Sequence, residues 1–210
     1  MREDAHATNH GGRDGLGNSK VPSGPTCAGD RWIPSIEIFD RPFLHDEWDK
    51  LRLFVRRTSR GDLHDRFGVT LDLSDEITMR RAFGIHRGLG TIAWVLDDRS
   101  GVAGMSHQIK TSHSTVEVAL LVRSDLKRVG IGEFLLRHAL ASSVAQGAKR
   151  LVGLVGRENR AMRSLGAKLG FKSRDVSNAA TVELVLDIDQ TILEMLSYWM
   201  ASIISGPREV

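Results

Sequence analysis

The chain has 210 residues, of which 41% are hydrophobic and 26% charged, so we expect one globular domain with additional terminal segments rather than extended disorder. A single cysteine, Cys27, excludes an intrachain disulfide and a zinc site built from several cysteines, and it favours a reducing, cytoplasmic setting. The net charge is only +3, with acids and bases alternating, and no apolar run reaches membrane-spanning length; we therefore expect neither nucleic-acid binding nor a membrane span.

The two ends of the chain differ in composition. Residues 1–35 contain scattered Gly, Ser, Asn and Pro and lack an apolar stretch, which predicts a disordered tail rather than a signal peptide. Residues 189–204 carry apolar side chains at helical spacing and predict an amphipathic helix packed on the domain, with pairing to a second subunit as the alternative. Residues 205–210 form a predicted second tail, which leaves residues 36–188 as the main domain.

The middle of the chain alternates between helical and strand patterns. Residues 42–57 and 74–83 are predicted helices, the second capped by Ser74, and residues 59–67 form a short helix or a loop. Strand patterns cover residues 91–96, 102–109, 115–122, 151–155 and 181–186, and further helices cover 130–146 and 160–169. Residues 97–101 are the predicted hairpin turn. This order predicts an α/β fold with a mixed sheet and helices on both faces.

Two glycines stand where the third predicted strand meets helix 130–146. Gly130 and Gly132 allow close backbone approach, and the unpaired N–H groups of a helix's first turn attract anions. Lys127 and Arg128 add positive charge beside them. A phosphate-bearing ligand fits this pattern, but a tight turn without a ligand explains it equally well. The pattern lacks the third glycine of the dinucleotide fingerprint and the Gly-Lys-Ser/Thr of a Walker loop.

Two motifs give this loop a family context. Lys127-Arg128-Val129-Gly130-Ile131-Gly132 resembles the acetyl-CoA motif Q/R-x-x-G-x-G/A of the GNAT acetyltransferases, with Lys replacing Gln or Arg. Asn159-Arg160-Ala161-Met162 and Lys168-Leu169-Gly170-Phe171 resemble the family's second signature. The resemblance covers roughly residues 36–187. It implies the GNAT fold, with a mixed, mostly antiparallel sheet of about six to seven strands flanked by helices on both faces, and N-acetyl transfer from acetyl-CoA without a metal.

A closer likeness lies within that family. Residues 117–127 and Arg66-Phe67-Gly68 resemble the Pat-type bacterial protein lysine acetyltransferases, in a single-domain form. The resemblance implies that the acceptor is the ε-amine of lysine in proteins such as AMP-forming acyl-CoA synthetases. A GNAT enzyme for a small-molecule amine and a non-catalytic CoA-binding sensor module are the alternatives. The protein could be a monomer or a dimer.

Glu117 interrupts an apolar strand pattern. Strand alternation puts Val116 and Val118 on one face of the sheet and Glu117 on the other. Nearly every lysine amine is protonated at pH 7, so acetylation needs a group that takes the proton, and a positioned carboxylate can do so. The Pat resemblance assigns the role of general base to Glu117. A structural salt bridge to an arginine is the alternative explanation, and His107 on the preceding strand is the other candidate base.

The resemblance also implies a set of acetyl-CoA contacts. They are Leu120, Leu121, Val122, Lys127, Arg128, Val129, Gly130, Ile131, Gly132, Glu133, Asn159 and Met162. Asn159 also suits the N-cap of the helix that follows it, and the two roles are compatible. The tyrosine that serves many GNAT enzymes as general acid would fall at Gly166, and the only tyrosine is Tyr198. The general acid therefore stays unassigned.

Overall fold

A computed structural model describes residues 37–39, 41, 47–83, 91–96, 101–177 and 180–204. The predicted tails 1–35 and 205–210 lie outside the described residues, as do residues 42–46 of the first predicted helix and residues 97–100 of the predicted turn.

Helices and strands alternate along the described chain. The helices are α1 (Trp48–Arg56), α2 (Arg60–Phe67), α3 (Glu76–Ala82), α4 (Ile131–Ala145), α5 (Arg160–Lys168) and α6 (Gln190–Ile204). The strands are β1 (Glu37–Phe39), β2 (Thr91–Leu96), β3 (Val102–Lys110), β4 (Thr115–Val122), β5 (Arg150–Gly156), β6 (Lys172–Asp175) and β7 (Thr181–Asp187).

The strands form one seven-stranded sheet in the order β1-β2-β3-β4-β5-β7-β6. In the described residues β4 and β5 pair in parallel, while the other neighbours pair in antiparallel fashion. The predicted fold class, a mixed and mostly antiparallel sheet between helices, is confirmed.

The two faces of the sheet bury separate cores. Leu121 of β4 packs in a cluster with residues of α1 and α3, including Phe54 and Met79. Val116 and Val118 point to the opposite face, where they pack with side chains of α4 and α6. The alternation predicted for β4 is therefore confirmed. We call the face covered by α1, α2 and α3 the base face because Glu117 lies on it.

The C-terminal helix α6 packs on the opposite face. Ile192 and Leu196 are buried in the cluster that contains Leu140 of α4. The ring of Trp199 lies 6.1 Å from that of Phe134, also on α4. Tyr198 points outward and is 81% exposed. None of the helices in the described part of the chain combines the length and the apolar composition of a membrane span.

The structure corrects one local expectation, decides between two alternatives at a second place, and adds two strands. Ser74 does not cap α3: Asp75 accepts a hydrogen bond from the Thr78 N–H at 2.7 Å and takes that role. Residues 59–67, predicted as a short helix or a loop, contain the helix α2, whose Ser59 cap accepts a hydrogen bond from the Asp62 N–H at 3.1 Å. Strands β1 and β6 were not predicted, because β1 has only three residues and β6 reads Lys-Ser-Arg-Asp, without an apolar residue.

Candidate functional site

The central feature of the sheet is the separation of β4 from β5. The two strands pair only over their first residues, and Glu117 opposite Val152 is the last pair. A Cβ at Gly153 would lie 3.0 Å from the Val118 carbonyl oxygen, so a glycine allows this close approach where the strands part. Beyond Glu117 the described residues give β4 no strand partner on this side, and the gap opens into a cleft.

The cleft has a volume of about 430 Å³. One wall is residues 118–122 of β4 and the other is residues 152–155 of β5. The loop before α4 and the first turn of α5 close its sides, and α2 reaches it with Asp62, Asp65 and Arg66. The cleft is therefore bordered by strand backbone, a helix N-terminus and polar side chains of one short helix.

The loop that leads into α4 has unusual backbone geometry. Arg128 has a φ of 66° and is the one described residue other than glycine with a positive φ, while Gly130 has a φ of 97°. Gly130 occupies the N-cap of α4, and no side chain caps that helix start. The first N–H groups of α4 therefore stay available at the positive end of the helix dipole. Such an arrangement binds anions, phosphates in particular.

Charged side chains of this loop are already paired within the protein. Lys127 forms an ion pair with Asp62 of α2, whose carboxylate also accepts a hydrogen bond from the Ser124 hydroxyl. Burial acts to raise the pKa of Asp62, but the hydrogen bonds from Lys127 and Ser124 outweigh it and hold the pKa below its usual value. These contacts join the start of α2 to the loop of residues 127–130 before α4, which we call the glycine loop.

Glu133 of α4 is paired in a similar way. Its carboxylate lies 2.9 Å from Arg137 and 2.5 Å from Lys168 of α5. Burial acts to raise the pKa of Glu133, but the hydrogen bonds from both cations outweigh it and lower the pKa. This network fixes the distance between α4 and α5 on one side of the cleft.

The second motif, which begins at Asn159, forms the start of helix α5. The Asn159 side chain accepts a hydrogen bond from the Met162 N–H at 3.0 Å, so Asn159 caps the helix. Gly166 is buried, and a Cβ at this position would lie 2.8 Å from Leu184. A tyrosine could not enter here without displacing the contact of α5 with β7. Tyr198 is not among the residues that line the cleft.

Glu117 lies on the base face, where the strands begin to part. It is half-buried and does not line the cleft itself. Arg66 of α2 is close enough for an electrostatic interaction with Glu117. The same guanidinium approaches His107, directly opposite Ala119 in the β3–β4 pair. One carboxylate, one cation and one imidazole therefore share this part of the base face.

His107 is not suited to take a proton from an acceptor. Its ring is only 7% exposed, and its Nδ1 lies 2.7 Å from Nη2 of Arg66. Burial and, after it, the positive charge of Arg66 lower the pKa of the His107 imidazole to about 3, while the Phe83 backbone acts in the other direction. The ring is thus neutral at physiological pH, and its basic nitrogen already accepts a hydrogen bond.

The structure brings most of the predicted contact residues together. Ten of the twelve line the cleft: Leu120, Leu121, Val122, Lys127, Arg128, Gly130, Gly132, Glu133, Asn159 and Met162. Val129 and Ile131 do not line it, and the Ile131 side chain is 1% exposed because it packs in the core with Leu135. These two residues would act only through their backbone, as part of the loop.

Sequence reasoning missed the contribution of α2. Asp62, Asp65 and Arg66 were not predicted to line the cleft. A signal was present, because Ser59 followed three residues later by Asp62 is typical of a helix start. The contact with the glycine loop, 65 residues away, has no such local signal. Among the described residues, no group of three or more His, Cys, Asp or Glu side chains could hold a metal ion.

Comparison with known proteins agrees with this architecture. The GNAT domain of PAT from S. lividans has a TM-score of 0.64 at 18% identity, over 73% of this chain and 90% of that one. Spermidine N-acetyltransferase from Vibrio cholerae, solved with CoA and spermine, has a TM-score of 0.57 at 16% identity, over 71% of this chain and 95% of that one. These likenesses concern the fold.

Sequence comparison identifies the family to which the chain belongs. An acetyltransferase of Pseudomonas aeruginosa is 24% identical over 151 residues, which is 68% of this chain and 81% of that protein. The model described as the acetyltransferase (GNAT) family matches residues 51–171, more than half of the chain. The chain therefore belongs to the GNAT family and is an acetyl-CoA-dependent N-acetyltransferase.

Proposed function

We propose that this enzyme acetylates the ε-amine of lysine in target proteins such as AMP-forming acyl-CoA synthetases, with Glu117 as the general base. The observation that carries the proposal is the position of Glu117, which is the last residue of β4 paired with β5 before the cleft opens. The likeness of residues 117–127 to Pat-type enzymes supports a protein acceptor.

The cleft fits acetyl-CoA. Uncapped N–H groups at the start of α4 suit the pyrophosphate, and the side of β4 at Leu120, Leu121 and Val122 that lacks a strand partner suits the pantetheine amides. Lys127 and Arg128 add positive charge. When bound, acetyl-CoA supplies the thioester that the acceptor amine attacks.

The proton of the acceptor ammonium group is removed by a residue of the chain itself. The acceptor arrives as an ammonium group, and Glu117 takes a proton from it, directly or through a water molecule. The free amine then attacks the thioester carbonyl carbon, the carbon–sulfur bond breaks, and the nitrogen gives its second proton to solvent water, since Glu117 already holds the first. An ordinary thiol has a pKa of about 8.5, so the sulfur can leave as a thiolate without a dedicated acid. This agrees with the absence of a tyrosine at position 166, where Gly166 packs against Leu184.

Surface charge near α2 favours a protein over a polyamine as acceptor. Arg56, Arg57 and Arg60 are all exposed where α1 gives way to α2. This basic surface repels a polycation such as spermidine and attracts an acidic protein surface around the target lysine.

Labelled acetyl-CoA tests the proposal. The purified protein is incubated with an AMP-forming acyl-CoA synthetase and, separately, with a panel of free amines that includes spermidine. We expect label on the synthetase and its loss when the modified lysine of the synthetase is replaced by arginine. Transfer to free amines alone would favour the hypothesis of a GNAT enzyme that acetylates a small-molecule amine. Tight acetyl-CoA binding without transfer to any acceptor would favour the hypothesis of a non-catalytic CoA-binding sensor module.

Glu117→Gln tests the assigned base. We expect kcat to fall by about 10²- to 10³-fold, because general base catalysis typically contributes that much, while acetyl-CoA affinity measured by calorimetry stays within about twofold. Glu183→Gln is the matched control, since Glu183 is a half-buried carboxylate of β7 on the same face of the sheet. Full activity in Glu117→Gln would rule out this base.

A further inference from the structure

Three apolar side chains of the base face lie outside the protein core. Ile109 of β3 is 45% exposed, Leu154 of β5 is 62% exposed, and Val152 of β5 is half-buried. In the described part of the chain, none of the three belongs to the apolar clusters that make up the core. A ligand that covers aliphatic side chains such as these gains free energy by removing them from water.

The strand register places these side chains around Glu117. Ile109 lies opposite Glu117 in the β3–β4 pair, and Val152 lies opposite it in the β4–β5 pair. Leu154 follows two residues after Val152, so it points to the same face about 7 Å further along β5. Both residues of β5 line the cleft. One carboxylate therefore lies among three apolar side chains, which we call the apolar strip (Ile109, Val152 and Leu154).

A single carboxylate in apolar surroundings matches a particular kind of amine. One ammonium group at Glu117 meets an opposite charge, whereas a second ammonium group further along the ligand would lie against the apolar strip and lose water without gaining a partner. Methylene groups and apolar side chains gain by leaving water at the same place. The apolar strip therefore favours an acceptor that carries one positive charge on an aliphatic stem.

Charged residues border the apolar strip without adding a net charge to it. Asp65 and Arg66 of α2 line the cleft. Glu183 of β7 lies opposite Leu154, and Arg174 of β6 lies in turn opposite Glu183. The two acids and the two bases cancel in charge, so this border offers a polycation no net attraction.

We propose that the apolar strip is the acceptor-binding surface and that Leu154 is a specificity-determining residue: the enzyme selects an amine on an apolar stem, which in a protein is a lysine with an apolar neighbour. This inference rests on the proposed function, in which the acceptor amine meets Glu117. The apolar strip continues into the cleft through Val152 and Leu154, so an acceptor that covers it borders the acetyl-CoA site.

A matched pair of amines tests the apolar strip. Hexylamine and hexamethylenediamine have the same stem and differ by one ammonium group, and we expect the native enzyme to favour hexylamine by about tenfold in kcat/KM. Leu154→Gln should lower the hexylamine value about fivefold, chiefly through KM, and leave the diamine value within about twofold. Leu53→Gln is the matched control, because Leu53 of α1 is 42% exposed and does not line the cleft.

Leu154→Glu separates recognition from damage to the fold. A carboxylate at this position would pair with the second ammonium group, so kcat/KM for the diamine should rise about three- to fivefold and exceed that for hexylamine. A disturbed fold does not produce such a gain. Acetyl-CoA affinity, measured by calorimetry, should stay within about twofold in each variant, since the proposal assigns Leu154 to the acceptor.

Peptides extend the comparison to a protein-like acceptor. Two peptides contain one lysine each and differ only in the residue after it, which is leucine in one and serine in the other. We expect the native enzyme to favour the leucine peptide about fivefold in kcat/KM and Leu154→Gln to remove that preference.

A second readout does not depend on turnover. Leucine methyl groups are labelled with ¹³C, and the signals of Leu154 and Leu53 are assigned by their absence in the two glutamine variants. Addition of hexylamine should shift the Leu154 signals and leave those of Leu53 in place.

Five results would overturn the inference: no transfer to either amine, no preference for hexylamine in the native enzyme, equal losses for both amines in Leu154→Gln, equal rates for the two peptides, or unmoved Leu154 methyl signals. Weaker acetyl-CoA binding in Leu154→Gln that accounts for its whole loss of activity would also do so, because Leu154 would then contact the cofactor. Failure of the proposed function alone is distinguishable: the synthetase stays unlabelled or Glu117→Gln stays active, while the preference between the two amines persists.

Discussion

The two sides of the site are built in different ways. The side formed by the glycine loop and α4 presents backbone N–H groups, and it depends on left-handed φ angles at Arg128 and Gly130. The base face presents side chains, with Arg66 and His107 in direct contact and Glu117 within electrostatic range. The first side is determined by local backbone conformation, whereas the second exists only once α2, β3 and β4 have packed together.

This difference predicts how each side responds to change. Substitutions that alter backbone conformation should act on ligand affinity at the glycine loop. Substitutions of charged or titratable residues on the base face should act through charge and pH. Of the four predictions below, two test this division and two test the contacts that join the two sides, in order from the largest expected effect to the smallest.

The largest effect concerns the acid stability of the base face. The pKa of His107 is about 3 in the folded protein and about 6.5 when unfolded, so the unfolded state alone binds a proton between these values. Stability should fall by up to about 1.4 kcal/mol per pH unit below pH 6.5. In His107→Gln we expect about 2 kcal/mol less loss between pH 7 and pH 5, measured by urea unfolding.

His113→Gln is the control, because it removes an exposed histidine close in sequence. An unchanged pH dependence in His107→Gln would show that His107 does not carry this proton linkage.

The next effect tests the backbone conformation of the glycine loop. Gly130→Ala places a side chain on a residue with φ 97°, which costs about 1–2 kcal/mol and disturbs the loop. We expect the Kd for acetyl-CoA, measured by calorimetry, to rise about tenfold. Gly147→Ala is the matched control: its φ is 81° and its Cβ would meet nothing within 4 Å, at the far end of α4. Equal changes in affinity for the two variants would contradict the prediction.

A smaller effect is expected where β4 and β5 part. Gly153→Ala places a Cβ 3.0 Å from the Val118 carbonyl oxygen, so the strands must move apart by a few tenths of an ångström. We expect a loss of about 1 kcal/mol in the free energy of unfolding, in the range of mild overpacking. Gly156→Ala on the same strand meets nothing within 4 Å and should cost less. Equal costs would mean that this close approach does not strain the sheet.

The smallest effect tests the pairing between α2 and the loop. Asp62→Asn removes the negative charge that pairs with Lys127 beside the cleft. We expect acetyl-CoA to bind about two- to threefold more tightly at low salt and the gain to vanish at high salt, as screening predicts. Asp72→Asn, at an exposed position that does not line the cleft, is the control. Weaker binding in Asp62→Asn would show that the link to α2 matters more than the charge.

The sequence was informative where structure is local. The bounds of β4 match the prediction because its eight residues are nearly all β-branched or aliphatic. Gly130 and Gly132 pointed to an anion site because helix starts bind anions regardless of the wider fold. Glu117 stood out as one charge in an apolar strand.

The features of the fold and the site that the sequence did not predict depend on contacts between residues distant in the chain. Arg66 and His107 are 41 residues apart, so their contact follows from the packing of α2 on the sheet and not from any local pattern. The role of Gly153 could not be predicted from the sequence, because this glycine leaves space for the Val118 carbonyl oxygen of the neighbouring strand. Strand β6 forms by pairing with β7. It could not be predicted because its four residues are all exposed and contain no apolar pattern.

Helix α2 has a consequence for dynamics. None of its residues is fully buried, and Leu63 and Phe67 pack only partly against the core. Its first turn is joined to the glycine loop through Asp62, and its last turn reaches the base face through Arg66. An element with so little buried surface opens locally at a lower cost than the sheet beneath it, so its amide hydrogens should exchange faster than those of β4. A ligand that occupies the cleft beside α2 should slow that exchange, and this one helix would then report on both halves of the site.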